Sequence, residues 1–589
     1  MAEWAFRWRV IEPWNEPDGI NAHSPSKSFL SWKDMENPTP GTRTWKFVED
    51  ARRWGYNAIS FYMDPEANPG AVRALARHLR ERGLGMIVRR DWCELEGKKS
   101  WPVHCAPEAW GKKRASRKLC PYSDETRAYW RRRVEEDYRE IGEFLGYRMC
   151  GTNYIFCNGA PWMCDCETCR KRSGRERTRE AIRLVAEILG EHGGTLFWET
   201  CQDDPGGQYE EAEYFRGMTG EIPGNAFIVI KPYYWDYHSG YPRHPLFERI
   251  RTDAEGRSPY ITSVQLAGEY RGVHKFPWSM VEEWSGLMSD VVRTGQAGLW
   301  VMAIVEYNDW DHPLNMVNWH ALSRFFREPL ADPKGLALEW AGKTFGEEAA
   351  PTVVKVVDRM TEAGRRMFEF EGLWTQLHSR YPELLYLDTR LCGPCRQSPR
   401  RAGMMGHTWP LDMYSEARQK EIKADARTRL IFTPERITRE LAARMIGEKD
   451  EAIEIVREAV GLWEGLAGKV ERGTHEKILE LLRGNIDDAI LWRMGMELYM
   501  EMKLGALTEG RIDAVLEECA RLGLAGTIVD APLDPHPKMT DCCHTPSSLK
   551  FFAEQLRREI RSPYLETYCA RQSGVDDTPI EWDQVSEET

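Results

Sequence analysis

Short hydrophobic runs alternate with amphipathic helical stretches over roughly the first 330 residues of the chain. Runs of about four to eight apolar and β-branched residues predict strands, and apolar positions three or four residues apart predict helices. Glycines such as Gly55 and Gly83 stand where helical stretches commonly end. Eight strands are predicted in this way, over residues 8–12, 57–62, 85–90, 153–157, 195–199, 226–231, 260–266 and 298–305.

This alternation predicts an α/β fold, a (β/α)8 TIM barrel over residues 1–330. An open doubly wound sheet is the alternative, but no Gly-x-Gly-x-x-Gly segment follows an early strand. Beyond residue 330 the pattern changes to long helices, over 335–346, 350–371, 436–472 and 474–505. We therefore expect an α-helical C-terminal domain over residues 331–572, and an acidic, flexible tail over 573–589.

Composition narrows the class of function. A net charge of −12 argues against a nucleic-acid partner, because nucleic-acid-binding domains carry a basic surface. No apolar run reaches the roughly 18 residues of a membrane span. The first residues, MAEWAFRWRV, do not have the pattern of a signal peptide, so the 15 cysteines are expected to be reduced thiols. We expect a cytoplasmic protein without a membrane partner, and consider a homodimer as its assembly.

The predicted strand ends carry the candidate chemistry, because the active site of a TIM barrel lies there. Carboxylate, amide and aromatic side chains follow most of the eight strands. Glycosidases need two carboxyl groups on either side of the scissile bond. The 24 tryptophans and 22 tyrosines also suit a site that packs aromatic rings against sugar faces, although aromatic cores are common in large proteins. These features indicate a glycoside hydrolase that acts on an oligosaccharide or glycoside.

Four segments carry a resemblance to a known family. They are WNEPDGINAHSPSKSF at 14–29, Lys231 with Asp236, QLAGEYRG at 265–272, and DHPLNMVNWHALSRF at 311–325. In this order they resemble the catalytic barrel of glycoside hydrolase family 67, the α-glucuronidases, over residues 8–346. The resemblance is distant, since that family's N-terminal sandwich domain has no counterpart before this barrel.

The resemblance implies an exo-acting, inverting hydrolase that removes a terminal uronic acid or a related sugar and needs no cofactor for catalysis. It implies that Asp236 and Glu269 activate the water, and that Lys231 binds the substrate. The strand ends supply further candidates for the substrate pocket, which are Trp14, Asp18, Trp162, Trp198, Tyr270 and Asp309.

Two departures from the family pattern affect this interpretation. Asn158 stands where the family has its general acid, and an amide cannot serve as a conventional acid. Three explanations stay open: another carboxyl group such as Glu199 supplies the proton, the chain is a disabled variant with asparagine in place of aspartate, or it binds sugar without cleaving it. Tyr154 and Glu199 also stand where the family places cations for the sugar carboxylate, so a neutral sugar is an alternative substrate.

A cysteine-rich segment follows the fourth predicted strand. Cys164, Cys166 and Cys169 can supply three thiolates to a structural zinc, with a fourth ligand from Cys150, Cys120 or His104. A set of buried or unpaired thiols explains the same cysteines without a metal. Besides a non-catalytic sugar-binding protein, a zinc-dependent hydrolase or lyase is therefore a second alternative function.

Overall fold

The computed structural model places a closed parallel barrel in the N-terminal part of the chain. It describes residues 4–13, 36–61, 67–92, 94–95, 116–117, 119–150, 166–200, 211–233, 237, 243–266, 276–303, 312–370, 373–374, 438–524 and 549–561. The eight barrel strands are β1 (Trp8–Pro13), β2 (Ala58–Phe61), β3 (Gly85–Asp91), β4 (Gly146–Cys150), β5 (Thr195–Glu199), β6 (Ala226–Ile230), β7 (Tyr260–Gln265) and β8 (Gly298–Ala303).

Each strand pairs in parallel with its neighbours in chain order, and β1 closes the barrel against β8. The closing register joins Trp8 to Gly298 and Pro13 to Ala303. Helices separate most of the strands; the barrel helices are α1 (Arg43–Arg53), α2 (Pro69–Glu81), α3 (Asp124–Ile141), α4 (Glu167–Arg170), α5 (Gly174–Gly190), α6 (Val281–Arg293) and α7 (Met316–Phe325). The predicted (β/α)8 fold class is therefore confirmed.

Helix starts in the barrel follow local capping chemistry. Ser173 accepts a hydrogen bond from the backbone N–H of Glu176, whose side chain accepts one from the Ser173 backbone, so α5 begins with a capping box. Asn68 caps α2, and Pro69 occupies its first position, where no backbone donor is needed. At these two helices, the capping residue fixes where the loop ends and the helix begins.

One predicted strand was wrong. The sequence pattern predicts the fourth strand at 153–157, a range outside the described residues, whereas the fourth strand of the closed barrel is β4, Gly146–Cys150. The run at 153–157 is the more apolar of the two, and the arginine in GYRMC is atypical of a barrel core. Gly146 has φ +148°, and a β-carbon there would lie 1.8 Å from the carbonyl oxygen of Thr195, so only glycine fits at the start of this strand.

The two faces of the strands contribute to different cores. Inward-facing side chains such as Trp8, Val10, Phe197 and Trp300 form a cluster inside the barrel. The ring of Phe197 lies 5.1 Å from that of Trp8 and 5.3 Å from that of Trp300, at angles that favour aromatic contacts. Alternate residues face outward and pack against the surrounding helices, as barrel strands buried on both faces require.

Long helices follow the barrel, as the sequence predicts. They are α8 (Pro333–Phe345), α9 (Ala350–Phe368), α10 (Arg439–Glu464), α11 (Arg472–Lys503), α12 (Glu509–Arg521) and α13 (Leu549–Arg561). Two short antiparallel pairs, Glu94–Leu95 with Ser116–Arg117 and Glu369–Phe370 with Leu373–Trp374, lie outside the barrel sheet. Two short 3-10 helices, Pro245–Glu248 and Pro313–Asn315, are also described. Buried Lys449 on α10 donates to the carbonyl oxygens of Arg366 and Glu369 at the end of α9, which ties these two helices together.

Candidate active site

Polar side chains collect inside the barrel at the carboxyl ends of its strands. Alternation along each strand directs every second side chain inward, so Glu12 follows Val10 and Trp8 into the interior. The members of this polar layer come from β1, β2, β3, β4, β5 and β7. They are Glu12, Ser60, Arg89, Arg148, Glu199 and Gln265, and all are buried. The polar layer covers the apolar barrel core at the end where TIM-barrel enzymes bind substrates.

Arg148 is the central cation of this layer. Its Nη1 lies 3.0 Å from Glu12 Oε1, and its Nη2 contacts Glu199 Oε1. Arg89 approaches the same Glu12 oxygen at 3.5 Å. Trp300 donates its indole N–H to the other Glu12 oxygen at 3.0 Å. The layer therefore holds two arginines against two glutamates, and links β1, β3, β4, β5 and β8 through side chains.

Burial and charge pairing shape the electrostatics of this network. Burial raises the pKa of Glu12, although Arg148 and Arg89 oppose that shift. Burial alone would lower the pKa of Arg148, but Glu12 and Glu199 outweigh it, so the pKa is raised. Because Arg148 contacts both glutamates, its loss would leave two buried carboxyl groups without their main counter-charge.

Lys231 directly follows β6 and stands at the edge of this layer. It is half-buried, and its backbone N–H donates to Thr200 Oγ1 at 3.2 Å. The Lys231 ammonium lies 5.6 Å from the centroid of the Tyr237 ring, a distance typical of a cation–π contact. Tyr237 Oη in turn lies 2.8 Å from Ser263 Oγ and 2.6 Å from the sulfur of Met302. Residues of β7 and β8 thus hold the Tyr237 ring, and the predicted substrate-binding lysine lies near that ring.

Most of the other candidate residues lie outside the described residues. Asp236 immediately precedes Tyr237 in the chain, and Glu269 follows the end of β7 by four residues. Their proposed roles stay predictions. The remaining candidates outside the described ranges are Asn158, Trp14, Asp18, Trp162, Tyr270, Asp309 and Cys164.

Glu199 and Trp198 are adjacent on β5 but face opposite sides of the barrel wall. Glu199 faces inward and contacts Arg148. Trp198 faces outward, where its ring lies 5.9 Å from that of Trp92, and Trp92 stacks in turn on Trp130 of α3. The expectation that Trp198 lines the substrate pocket is therefore corrected. This side chain packs in the core between the barrel strands and the surrounding helices.

The sequence predictions did not include Arg148, the central cation of the polar layer. Arg148 was missed because the fourth strand was predicted seven residues too late. The alternation of Arg148 between outward-facing Tyr147 and Met149 is the signal that identifies it once the strand is placed correctly. Asn158 and Tyr154 also lie at different distances along the chain from the strand end than predicted. The predicted strand ends at residue 157, whereas β4 ends at Cys150.

The structure brings three cysteines together on the connections that follow β3 and β4. The sulfur atoms of Cys120, Cys166 and Cys169 all lie within 4.8 Å of one another. Two of the three predicted ligands, Cys166 and Cys169, belong to this group, and Cys120 was named as a candidate for the fourth.

Among the helices that the structure describes, none is both long and apolar enough to cross a membrane.

Comparisons with known proteins give structural likenesses at low identity. No family model matches the chain. No curated protein matches it either. A mutant O-GlcNAc hydrolase from Thermobaculum terrenum is similar at 11% identity and a TM-score of 0.40, over 98% of this chain and 99% of that one.

Two further solved structures are similar to parts of the chain. A 4-O-methyl-α-glucuronidase of glycoside hydrolase family 115 has 12% identity and a TM-score of 0.47, over 88% of this chain and 58% of that one. A family 20 β-N-acetylhexosaminidase from Streptomyces coelicolor A3(2) has 10% identity and a TM-score of 0.32, over 61% of this chain and 69% of that one. At these identities and TM-scores, the likenesses assign no activity to the chain.

Proposed function

We propose that the chain is an exo-acting glycoside hydrolase whose active site lies at the carboxyl ends of the barrel strands. The observation that carries the proposal is the buried polar layer of Glu12, Arg89, Arg148 and Glu199. Burying four charged groups costs free energy, and structures tolerate this mainly where the groups are paired or serve function. The layer lies at the carboxyl ends of the barrel strands, where TIM-barrel enzymes carry their active sites.

The catalytic carboxylates in this proposal are Asp236 and Glu269, which follow β6 and β7. One or both activate the water that attacks the anomeric carbon, on the sugar face opposite the leaving group. The positions of both residues in the chain support these roles. Asp236 is next to Tyr237, whose hydroxyl contacts Ser263 on β7, and Glu269 follows β7 by four residues. The proposed reaction inverts the anomeric configuration.

Glu199 is the candidate general acid among the described residues, but its surroundings favour another role. It is buried and accepts from Arg148, so its contacts favour holding that arginine in place over giving a proton to a leaving group. We therefore propose Glu199 as a positioning residue. The general acid in this proposal is then another carboxyl group on the connections that follow the strands. One of these connections contains Asn158.

The proposed substrate carries a terminal uronic acid or a related sugar. Arg89 and Arg148 already face glutamates, so they offer little net charge to a ligand. Lys231 adds a positive charge at the edge of the layer, and it sits over an aromatic ring of the kind that packs on sugar faces. A carboxylate on the sugar would complement Lys231.

A proton NMR time course tests the reaction directly. The full-length chain is mixed with an oligosaccharide that ends in α-linked glucuronic acid, and the first anomer of the released sugar is recorded before mutarotation. The proposal expects the β-anomer first, and retained α-configuration excludes the inverting mechanism. If the chain hydrolyses neither this substrate nor any of a panel of aryl glycosides, the hydrolase proposal is excluded.

A sugar-binding protein without activity is the second candidate. The observation that favours it is that the described carboxylates of the layer, Glu12 and Glu199, both contact arginines. Asn158→Asp and Asn158→Glu separate the two candidates. Turnover gained by either variant, on a sugar that the parent chain binds without cleaving, identifies a disabled hydrolase; binding without turnover in all three favours the sugar-binding protein.

A further inference from the structure

Three cysteine sulfur atoms form a compact group outside the polar layer described above. Cys120 Sγ lies 3.7 Å from Cys166 Sγ and 3.5 Å from Cys169 Sγ. Cys169 is fully buried, and the other two are half-buried. The glycosidase proposal makes no use of these thiols, so the group needs its own explanation.

The spacing of the sulfur atoms matches a tetrahedral zinc site. Zinc binds thiolate sulfur at about 2.3 Å, and two such ligands in tetrahedral geometry lie roughly 3.8 Å apart. The observed separations of 3.7 and 3.5 Å are close to that value. A disulfide, by contrast, requires sulfur atoms at about 2.05 Å.

The backbone fixes each of the three positions independently of a metal. Cys166 and Cys169 lie three residues apart at the beginning of α4, so they share one face of a single helical turn. The carbonyl of Cys166 accepts from the Arg170 N–H at 2.9 Å. Cys120 stands in the turn before α3, where its carbonyl accepts from the Ser123 N–H at 3.1 Å. Two separate helix starts therefore present their thiols to the same point.

We propose that Cys120, Cys166 and Cys169 bind a structural Zn²⁺ ion. The ligand set favours zinc because thiolates are soft ligands and all-thiolate sites are typically closed and structural. Cys164, which precedes Cys166 by two residues and lies outside the described residues, is the candidate from the sequence for the fourth ligand.

The position of the ion explains what it stabilises. Cys120 ends the connection that begins at β3, and Cys166 lies on the connection that begins at β4. These two strands supply Arg89 and Arg148 to the polar layer. Zinc binding joins the returning ends of both connections, so that neither moves independently of the other. All-thiolate zinc sites are typically structural, so we expect this ion to take no part in the reaction.

Metal analysis of the full-length chain tests this proposal without an activity assay. We expect about one equivalent of zinc per purified chain, and a large fall in zinc content in Cys120→Ser and Cys169→Ser. Cys519→Ser is the matched control, because Cys519 is a buried cysteine of α12, far along the chain from the group. Its zinc content should equal that of the parent chain. Cys164→Ser should weaken zinc binding if it is the fourth ligand, and unchanged affinity overturns that assignment.

Cobalt substitution tests the site in the parent chain, so the result does not depend on whether the cysteine variants fold. The parent chain loaded with Co²⁺ should show thiolate-to-metal charge-transfer absorption and the visible bands of a tetrahedral site. Absence of both zinc and cobalt binding in the folded parent chain overturns the proposal. Detection of a disulfide between Cys120 and Cys166 in chain purified without reductant, with no metal bound, overturns it as well.

Discussion

Arg148 on β4 reaches across the barrel interior to Glu12 on β1, where their charged atoms lie 3.0 Å apart. The same guanidinium contacts Glu199 on β5, so a single arginine balances two buried carboxylates. In a barrel core this arrangement is costly unless every member keeps its partner. The polar layer therefore depends on Arg148 more than on any other described residue.

Replacing Arg148 with methionine should destabilise the fold strongly. The substitution keeps an unbranched side chain but leaves Glu12 and Glu199 without their shared cation, and breaking a buried pair costs about 3–5 kcal/mol. Chemical denaturation measures the free energy of unfolding. Arg257→Met is the control, because Arg257 is 72% exposed in its pair with Asp253, and it should leave stability unchanged.

Adding Glu12→Gln to Arg148→Met tests the contact itself. If the two residues interact as the structure shows, the double variant should be less destabilised than the sum of the single variants. Strict additivity would contradict the pairing of Glu12 with Arg148.

The outer face of β3 holds a second buried pair whose effect depends on pH. Arg90 donates to both carboxylate oxygens of Asp137 on α3, at 3.0 and 2.9 Å, and Tyr147 donates to Asp137 as well. Burial alone would raise the pKa of Asp137, but Arg90 and then Arg133 outweigh it, so the pKa lies below its usual value.

Asp137→Asn should therefore lower stability most at neutral pH. A carboxylate whose pKa is depressed by folding adds stability above its unfolded pKa of about 4, and loses it as the pH falls through the folded value. The difference in melting temperature between the parent chain and Asp137→Asn should shrink as the pH is lowered from 7 toward 3. Asp513→Asn removes an exposed carboxylate and serves as the control. A difference that is constant or grows toward acid contradicts the pairing.

Sequence patterns predicted seven of the eight barrel strands to within a few residues and missed β4. The missed strand contains Arg148, whose charge makes GYRMC atypical of a buried strand. Arg148 can be buried because it contacts Glu12, a residue on a strand far away in the chain. Local pattern carries no information on such a pairing. The inward direction of Glu199 and the outward direction of Trp198, by contrast, follow from strand alternation once β5 is placed.

Glu199→Gln distinguishes a positioning role from an acid. If Glu199 holds Arg148, the variant should lose activity equally on a 4-nitrophenyl glycoside and on an oligosaccharide. A general acid matters most for the poor leaving group, where its loss costs about 100- to 10,000-fold. A much larger loss on the oligosaccharide than on the aryl glycoside would contradict the positioning role and identify Glu199 as the acid. Glu255→Gln, at an exposed turn, is the control.

Lys231→Met should separate charged from neutral substrates. A charge-assisted hydrogen bond contributes about 1.5–3 kcal/mol, so KM for an aryl glucuronide should rise roughly 10- to 100-fold. KM for the matching aryl glucoside should change little. Lys171→Met, at an exposed site on the surface, is the matched control. An equal rise in KM for both glycosides would show that Lys231 does not recognise the sugar carboxylate.

Asp236, which follows β6, is proposed to activate the attacking water, and Asp236→Asn tests this role. Steady-state hydrolysis of the oligosaccharide with terminal α-glucuronic acid is measured for the parent chain, Asp236→Asn and the control Asp513→Asn. We predict that kcat of Asp236→Asn falls about 100- to 10,000-fold, with an unchanged melting temperature, while Asp513→Asn keeps full activity. Full activity in Asp236→Asn would contradict a catalytic role for Asp236.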